Sequence, residues 1–207
     1  MIDLLYKQKY DITDLLSIMV RLRGEDGCPW DREQTHASIR ANVLEEAYEV
    51  AEAIDRQDAG MLCEELGDLL LQVVFHARMS SEAAGFDFDD VADGICRKLI
   101  ERHPHIFGDV RADTTEQVLS NWDAIKRRSK GHDTLYAALD GVAKSLPALT
   151  RADKLVGKLD KAGVPPQTGG DSLGERLLAL VREARAAGLD AENELQRACD
   201  TLIERAK

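Results

Sequence analysis

Leu44-Glu45-Glu46-Ala47-Tyr48-Glu49 and, a short way on, Glu64-Glu65-Leu66-Gly67-Asp68-Leu69-Leu70 decide how this chain is read. The first is a Glu-Glu-x-x-Glu pattern and the second a Glu-x-x-Asp pattern. Placed on two helices, they would aim several carboxylates at one place. Carboxylate oxygens in that number are what a hard cation such as Mg²⁺ requires, and Mg²⁺ in turn holds phosphate chains. The sequence therefore points to phosphate chemistry.

The surroundings of these stretches are helical in character. Ala, Leu, Glu, Arg and Lys dominate, aromatic residues make up only 5% of the 207 residues, and runs of β-branched residues are nearly absent, so the expectation is an all-α fold. An apolar content of 44% suffices for a genuine core. A formal charge of −11 argues against a protein that holds nucleic acid by counterion release, which needs a basic face. A small triphosphate escapes that argument, because bound Mg²⁺ reverses the local sign of an acidic pocket. Cys28, Cys63, Cys96 and Cys199 show no close pairing and follow no signal peptide or long apolar run, which predicts reduced thiols in a cytoplasmic protein with no membrane segment.

Outward from the acidic stretches, apolar periodicity predicts a helix from Asp11 to Arg23 ending at Gly24, a turn-like segment through Gly27–Thr35, a helix from about His36 or Ser38 through Ile54, another over Ala59 to Ala84, and a fourth from Asp89 to Arg102, stopped by His103-Pro104. That is a four-helix unit. A helix carrying Val118 to Lys130 and a helical stretch around Leu135 to Leu159 follow, then a Pro/Gly linker, then helix again from Leu173. The predicted domains are residues 1–130, a helical connector at 131–162, the linker at 163–170, and a degenerate half at 171–207. The last rests on an internal repeat: Glu65-Leu66-Gly67-Asp68-Leu69-Leu70-Leu71 is similar to Ser172-Leu173-Gly174-Glu175-Arg176-Leu177-Leu178, and Cys96–Arg102 aligns with Cys199–Arg205. In the second half Ser172 stands where Glu65 does, and the linker replaces a Glu-Glu-x-x-Glu helix. Its apolar positions fit a helical hairpin that covers apolar surface on the first half or on a partner.

Taken alone, Glu45, Glu46, Glu49 and Glu52 read first as the solvated face of a helix whose apolar stripe is Val43, Ala47, Val50, Ala51 and Ile54. The next helix alters that balance. Leu66, Leu69, Leu70, Leu71, Val73, Val74, Phe75 and Ala77 make it apolar nearly all round, hence central, so Glu65 and Asp68 project from a helix that cannot be fully solvated. Carboxylates near a core need a cation or hydrogen bonds to compensate them.

The combination Gly27-Cys28-Pro29-Trp30-Asp31, Leu44–Glu49, Glu65–Leu70 and Arg102-His103-Pro104-His105-Ile106-Phe107 resembles the MazG family of all-α nucleoside triphosphate pyrophosphohydrolases, in order and spacing through about Leu155. The resemblance implies a MazG-type four-helix bundle, hydrolysis of an NTP or dNTP to the monophosphate and pyrophosphate, and metal ligation by Glu45, Glu46, Glu49, Glu65 and Asp68, with Mg²⁺ as cofactor and Mn²⁺ able to substitute. It also implies that Trp122 and Lys126 match a Trp and Lys of the family, the Lys suited to a phosphate contact. Glu46 or Glu49 aligns the attacking water. Lys98 and Arg102, spaced i,i+4, join Lys126 as candidates for the outer phosphates, against the alternative of a solvated face. Trp30 stacks on a base or anchors packing. His103 and His105 read as helix-terminating, not as zinc ligands, for want of further ligands at suitable spacing. The expected partners are a nucleoside triphosphate and a second copy of the chain, since family members pair through such units. The competing reading is a non-catalytic acidic helical interaction protein.

Overall fold

The computed structural model describes residues 7–129, 134–164 and 172–206, and among the described residues it contains helices and no strand. Asp11 caps α1 (Ile12–Leu22): its side chain accepts from the Thr13 and Asp14 amides, and Asp14 accepts from the Asp11 amide in return. Asp14 is itself buried, and Lys7 at 2.5 Å holds its carboxyl below the usual carboxylate range.

The segment after α1 is not merely turn-like. Pro29 sits in the first turn of a short helix α2 (Pro29–Glu33), where its missing N–H costs nothing and its fixed φ suits the helix. Arg23 ties this segment down. Its guanidinium donates to both Glu82 oxygens (Nε at 3.0 and 3.1 Å, Nη2 at 2.8 Å) and, through Nη1, to the Asp31 and Gln34 carbonyls, while lying over the Phe75 ring. One side chain thus joins three segments through donors that a planar fork can satisfy together.

Helix α3 (Arg40–Asp55) ends at Gln57, which adopts φ 55°, and Asp58 then caps α4 (Ala59–Glu82) by accepting from the Gly60 and Met61 amides. This short connection folds α4 back along α3, and α4 also packs against α1. Helix α5 spans Phe88–Arg102. The core gathers Met19, Ile39, Val74, Phe75 and Met79, with Leu15, Leu16, Leu71 and Phe88 packed on it. It lies under the second half of α4 only. Leu66, Leu70 and Val73, expected inside a central helix, are 49%, 39% and 38% exposed.

The chain divides into two compact units at Ile100/Glu101. In the second, α6 (Pro104–Phe107) restarts immediately after His103, and α7 covers Thr115–Ser129. The stretch expected around Leu135 to Leu159 is two helices, α8 (Leu135–Asp140) and α9 (Ala148–Lys161), broken where Pro147 precedes α9. Most of the linker, 165–170, lies outside the described residues. Helices α10 (Leu173–Ala186) and α11 (Ala191–Arg205) pack on each other and on α9. Arg185 of α10 reaches across Gly157 of α9 to Asp153 at 2.8 Å and Asp160 at 3.2 Å, and a Cβ on Gly157 would stand 2.5 Å from its guanidinium. Ser172 and Glu175, the pair set against Glu65 and Asp68 in the repeat, form a capping box at the start of α10.

That role sets a test. Ser172→Ala should lower the stability of the second unit by about 1 kcal/mol, whereas Glu175→Gln, which can still accept from the Ser172 amide, should stay within about 0.5 kcal/mol of the parent. Urea unfolding followed by circular dichroism distinguishes the two.

Candidate functional site

The acidic site is built by the α3–α4 hairpin. Glu46 and Glu49, three residues apart, share one face of α3, and Glu65 faces them from α4. One carboxylate oxygen from each lies within 4.8 Å of the others, and no other group of three or more His, Cys, Asp or Glu side chains among the described residues is so close. Glu45 and Asp68 are exposed and stand outside this triad, but their charges act on it.

Like charges at that separation repel by about 3–4 kcal/mol at an effective dielectric of about 20. No ion pair among the described residues reaches Glu46, Glu49, Glu65 or Asp68, whereas Glu52 is paired with Arg56 on its own helix. Burial and this repulsion together raise the affinity for protons. Partial burial, then the charges of Asp68 and Glu49, push the Glu46 carboxyl above its ordinary value. Partial burial, then Glu49, do the same for Glu65.

A neighbour that sequence reasoning missed completes the site. Gln72 lies one turn beyond Asp68 on α4; its Nε2 donates to Glu46 Oε1 at 3.4 Å, and its Oε1 is buried without a partner. The available signal was a lone amide at i+4 from Asp68 inside an otherwise apolar run. One turn further, His76 stacks on His36, with ring centroids 5.0 Å apart and the two Nδ1 atoms 2.7 Å apart. Burial, then His36, lower the His76 value.

The remaining candidates are placed as follows. Trp30, on α2, is 59% exposed, with its carbonyl accepting from Gln34. Lys98 is exposed on α5. In the second unit, the Arg102 guanidinium and the Lys126 ammonium both lie against the Trp122 ring, at 5.3 and 4.4 Å from its centroid, and Arg102 Nε is buried without a partner. His103 occupies the N-cap position of the short helix α6 without a side-chain capping bond, while His105 Nδ1 is buried and unpartnered.

A family model described as the MazG nucleotide pyrophosphohydrolase domain matches residues 34–107. The chain is 45% identical over 183 residues to the nucleoside triphosphate pyrophosphohydrolase of Escherichia coli K12, an alignment covering 86% of this chain and 70% of that protein. It is 34% identical over 217 residues to the nucleoside triphosphate pyrophosphohydrolase/pyrophosphatase MazG of Thermotoga maritima, covering 94% and 83%. A 26.1 kDa protein from Streptomyces cacaoi is 40% identical, over 90% of this chain and 77% of its own length. The chain belongs to the MazG family.

The matched MazG region contains the carboxylate triad, Glu45, Asp68, Gln72, Lys98 and Arg102; Trp30, Trp122 and Lys126 lie outside it. The donor set of the MazG hairpin is all oxygen, with excess negative charge and an orphaned buried acceptor beside it, a chemistry that suits a hard divalent cation.

Because folding raises the values of Glu46 and Glu65 above those of the unfolded chain, the native state binds more protons. Metal-free stability contributed by these groups therefore falls as pH rises through the ordinary glutamate value towards the raised one. Glu46→Gln removes one of the crowded charges. In EDTA at neutral pH it should melt a few degrees above the parent in scanning calorimetry, with the difference shrinking towards acid pH; a lower melting temperature would mean that the Glu46 charge is compensated in the native state.

Proposed function

We propose that this chain is an Mg²⁺-dependent nucleoside triphosphate pyrophosphohydrolase that converts an NTP or dNTP and water to the monophosphate and pyrophosphate, serving to clean or adjust the nucleotide pool of the cytoplasm. The observation that carries the reading is the uncompensated triad of Glu46, Glu49 and Glu65 on the α3–α4 hairpin of a MazG region. Relatives named for this activity support it.

Glu45, Glu46, Glu49, Glu65 and Asp68 would hold Mg²⁺, which when bound supplies charge neutralisation along the triphosphate. The protein's own part is then positional. Glu46 or Glu49 orients the water and accepts its proton as the oxygen attacks the α-phosphorus and the bond to the β-phosphate oxygen breaks. Lys98 is the proposed contact to the outer phosphates and Trp30 would offer a face to the base; Arg102 and Lys126, the further phosphate candidates, lie together against Trp122 within the second unit. No further catalytic group is assigned to α10 or α11, where Ser172 and Glu175 are occupied in capping.

A second copy of the chain fits this reading. Leu66, Leu70 and Val73 on α4 and Ile95 and Ile100 on α5 leave apolar surface exposed. That is the kind of surface a homodimer buries.

The deciding experiment is pyrophosphate release from a panel of nucleotides with and without Mg²⁺. Glu46→Gln and Asp68→Asn should each cut kcat on the order of a thousandfold while the helical circular dichroism signal is retained. Glu175→Gln should leave kcat unchanged. Near-normal turnover of the first two at saturating Mg²⁺ would remove the site assignment.

Metal choice is a separate test. Mn²⁺ should replace Mg²⁺, Ca²⁺ should bind without supporting turnover because its larger, looser coordination misplaces the water, and EDTA should abolish activity. Turnover that persists in EDTA, or that needs zinc together with His103 and His105, would overturn the mechanism.

A further inference from the structure

Gln72 is the group on α4 that packing explains least. It is 7% exposed, and its chain neighbours Leu71, Val73, Val74 and Phe75 are all apolar. Burying a carboxamide is unfavourable unless its donors and its acceptor are engaged, and a leucine would fill the same place without that cost. The amide orientation follows from its neighbour: reversed, Oε1 would face a carboxylate oxygen, so the N–H is what meets Glu46 Oε1, at 3.4 Å. That leaves Oε1 of the same carboxamide buried and without a partner at the edge of the carboxylate triad.

We infer that Gln72 is a positioning residue for the metal-dependent reaction: its N–H fixes the orientation in which Glu46 meets the cation, and its Oε1 accepts a hydrogen bond from a water that enters with the cation. The inference rests on the Mg²⁺ pyrophosphohydrolase reading above. Mg²⁺ dehydrates reluctantly and keeps several waters, whose outward hydrogens need acceptors. An acceptor already desolvated and unengaged is suited to that task. Outer partners of this kind commonly affect metal affinity or activity by 10- to 100-fold. The long 3.4 Å contact also fits a hydrogen bond that shortens only once the site is filled.

The test uses the full chain and Mn²⁺ as the probe, with binding followed by electron paramagnetic resonance. Gln72→Met keeps the length of the side chain and removes both polar atoms; Gln72→Leu is the second variant should the first not fold. The expected result is Mn²⁺ binding weakened by about tenfold, a matching rise in the Mg²⁺ concentration needed for half-maximal turnover, little change in the nucleotide KM at saturating Mg²⁺, and a melting temperature in EDTA no lower than the parent's. Parent-like Mn²⁺ affinity and Mg²⁺ requirement in the folded variant, with Glu46→Gln deficient in binding, would overturn the positioning role alone. If the parent itself fails to bind Mn²⁺, or Glu46→Gln binds it as the parent does, the metal reading falls and takes this inference with it.

Discussion

The packing of α3 along α4 is the interaction on which the rest depends, because it forces three like-charged carboxylates within 4.8 Å of one another. Nothing in the local sequence would hold them there against their repulsion. The force that does is burial at the other end of the hairpin. Val74, Phe75 and Met79 of α4 meet Met19 of α1 and Ile39 just before α3, so the apolar half of α4 anchors the position of its acidic half. The site is thus held by a core to which its own residues contribute little. Partial burial together with the crowding raises the Glu46 and Glu65 values.

Polar contacts then fix what the core leaves loose. Arg23 links the end of α1, the α2 segment and Glu82 at the end of α4 through a buried guanidinium. Arg78 adds a second pair to Glu82 on the same helix, and these partners hold the Glu82 carboxyl below its ordinary value. The contrast with the acidic triad is direct. Glu82, with arginine partners, is held ionised, and Glu65, partly buried and facing other acids, is pushed towards protonation. The two ends of one helix therefore do different work, one structural and one open to a ligand.

The second unit is held together differently. Helix α9 packs with α8, α10 and α11. Between α9 and α10 the chain carries Gly163-Val164-Pro165-Pro166-Gln167-Thr168-Gly169-Gly170. Glu65 stands in the middle of α4, whereas Ser172, the residue set against it in the sequence comparison, is the cap of α10. The acids of α9, Asp153 and Asp160, both pair with Arg185. A seryl cap and a charge-paired interface accompany the packing of three helices, and among the described residues no carboxylate triad like that of the first unit is found there.

Helix content, the break between a helix through Ile54 and another from Ala59, the carboxylate spacing and the MazG pattern were all legible in the sequence, because each depends on residues within a few positions of one another: a 3.6-residue period and a short loop. The same local reading gave only a turn where Pro29 starts α2, and it merged α8 with α9, since a single turn of helix or a brief break barely alters the period. Tertiary structure alone decided which carboxylates crowd and which stay in solvent, that Leu66, Leu70 and Val73 are exposed, that Arg102 and Lys126 share the Trp122 ring, and that Gln72 reaches Glu46. Those outcomes turn on which face each helix presents to its neighbour, a set of distances between residues far apart in the chain that periodicity along one helix does not contain.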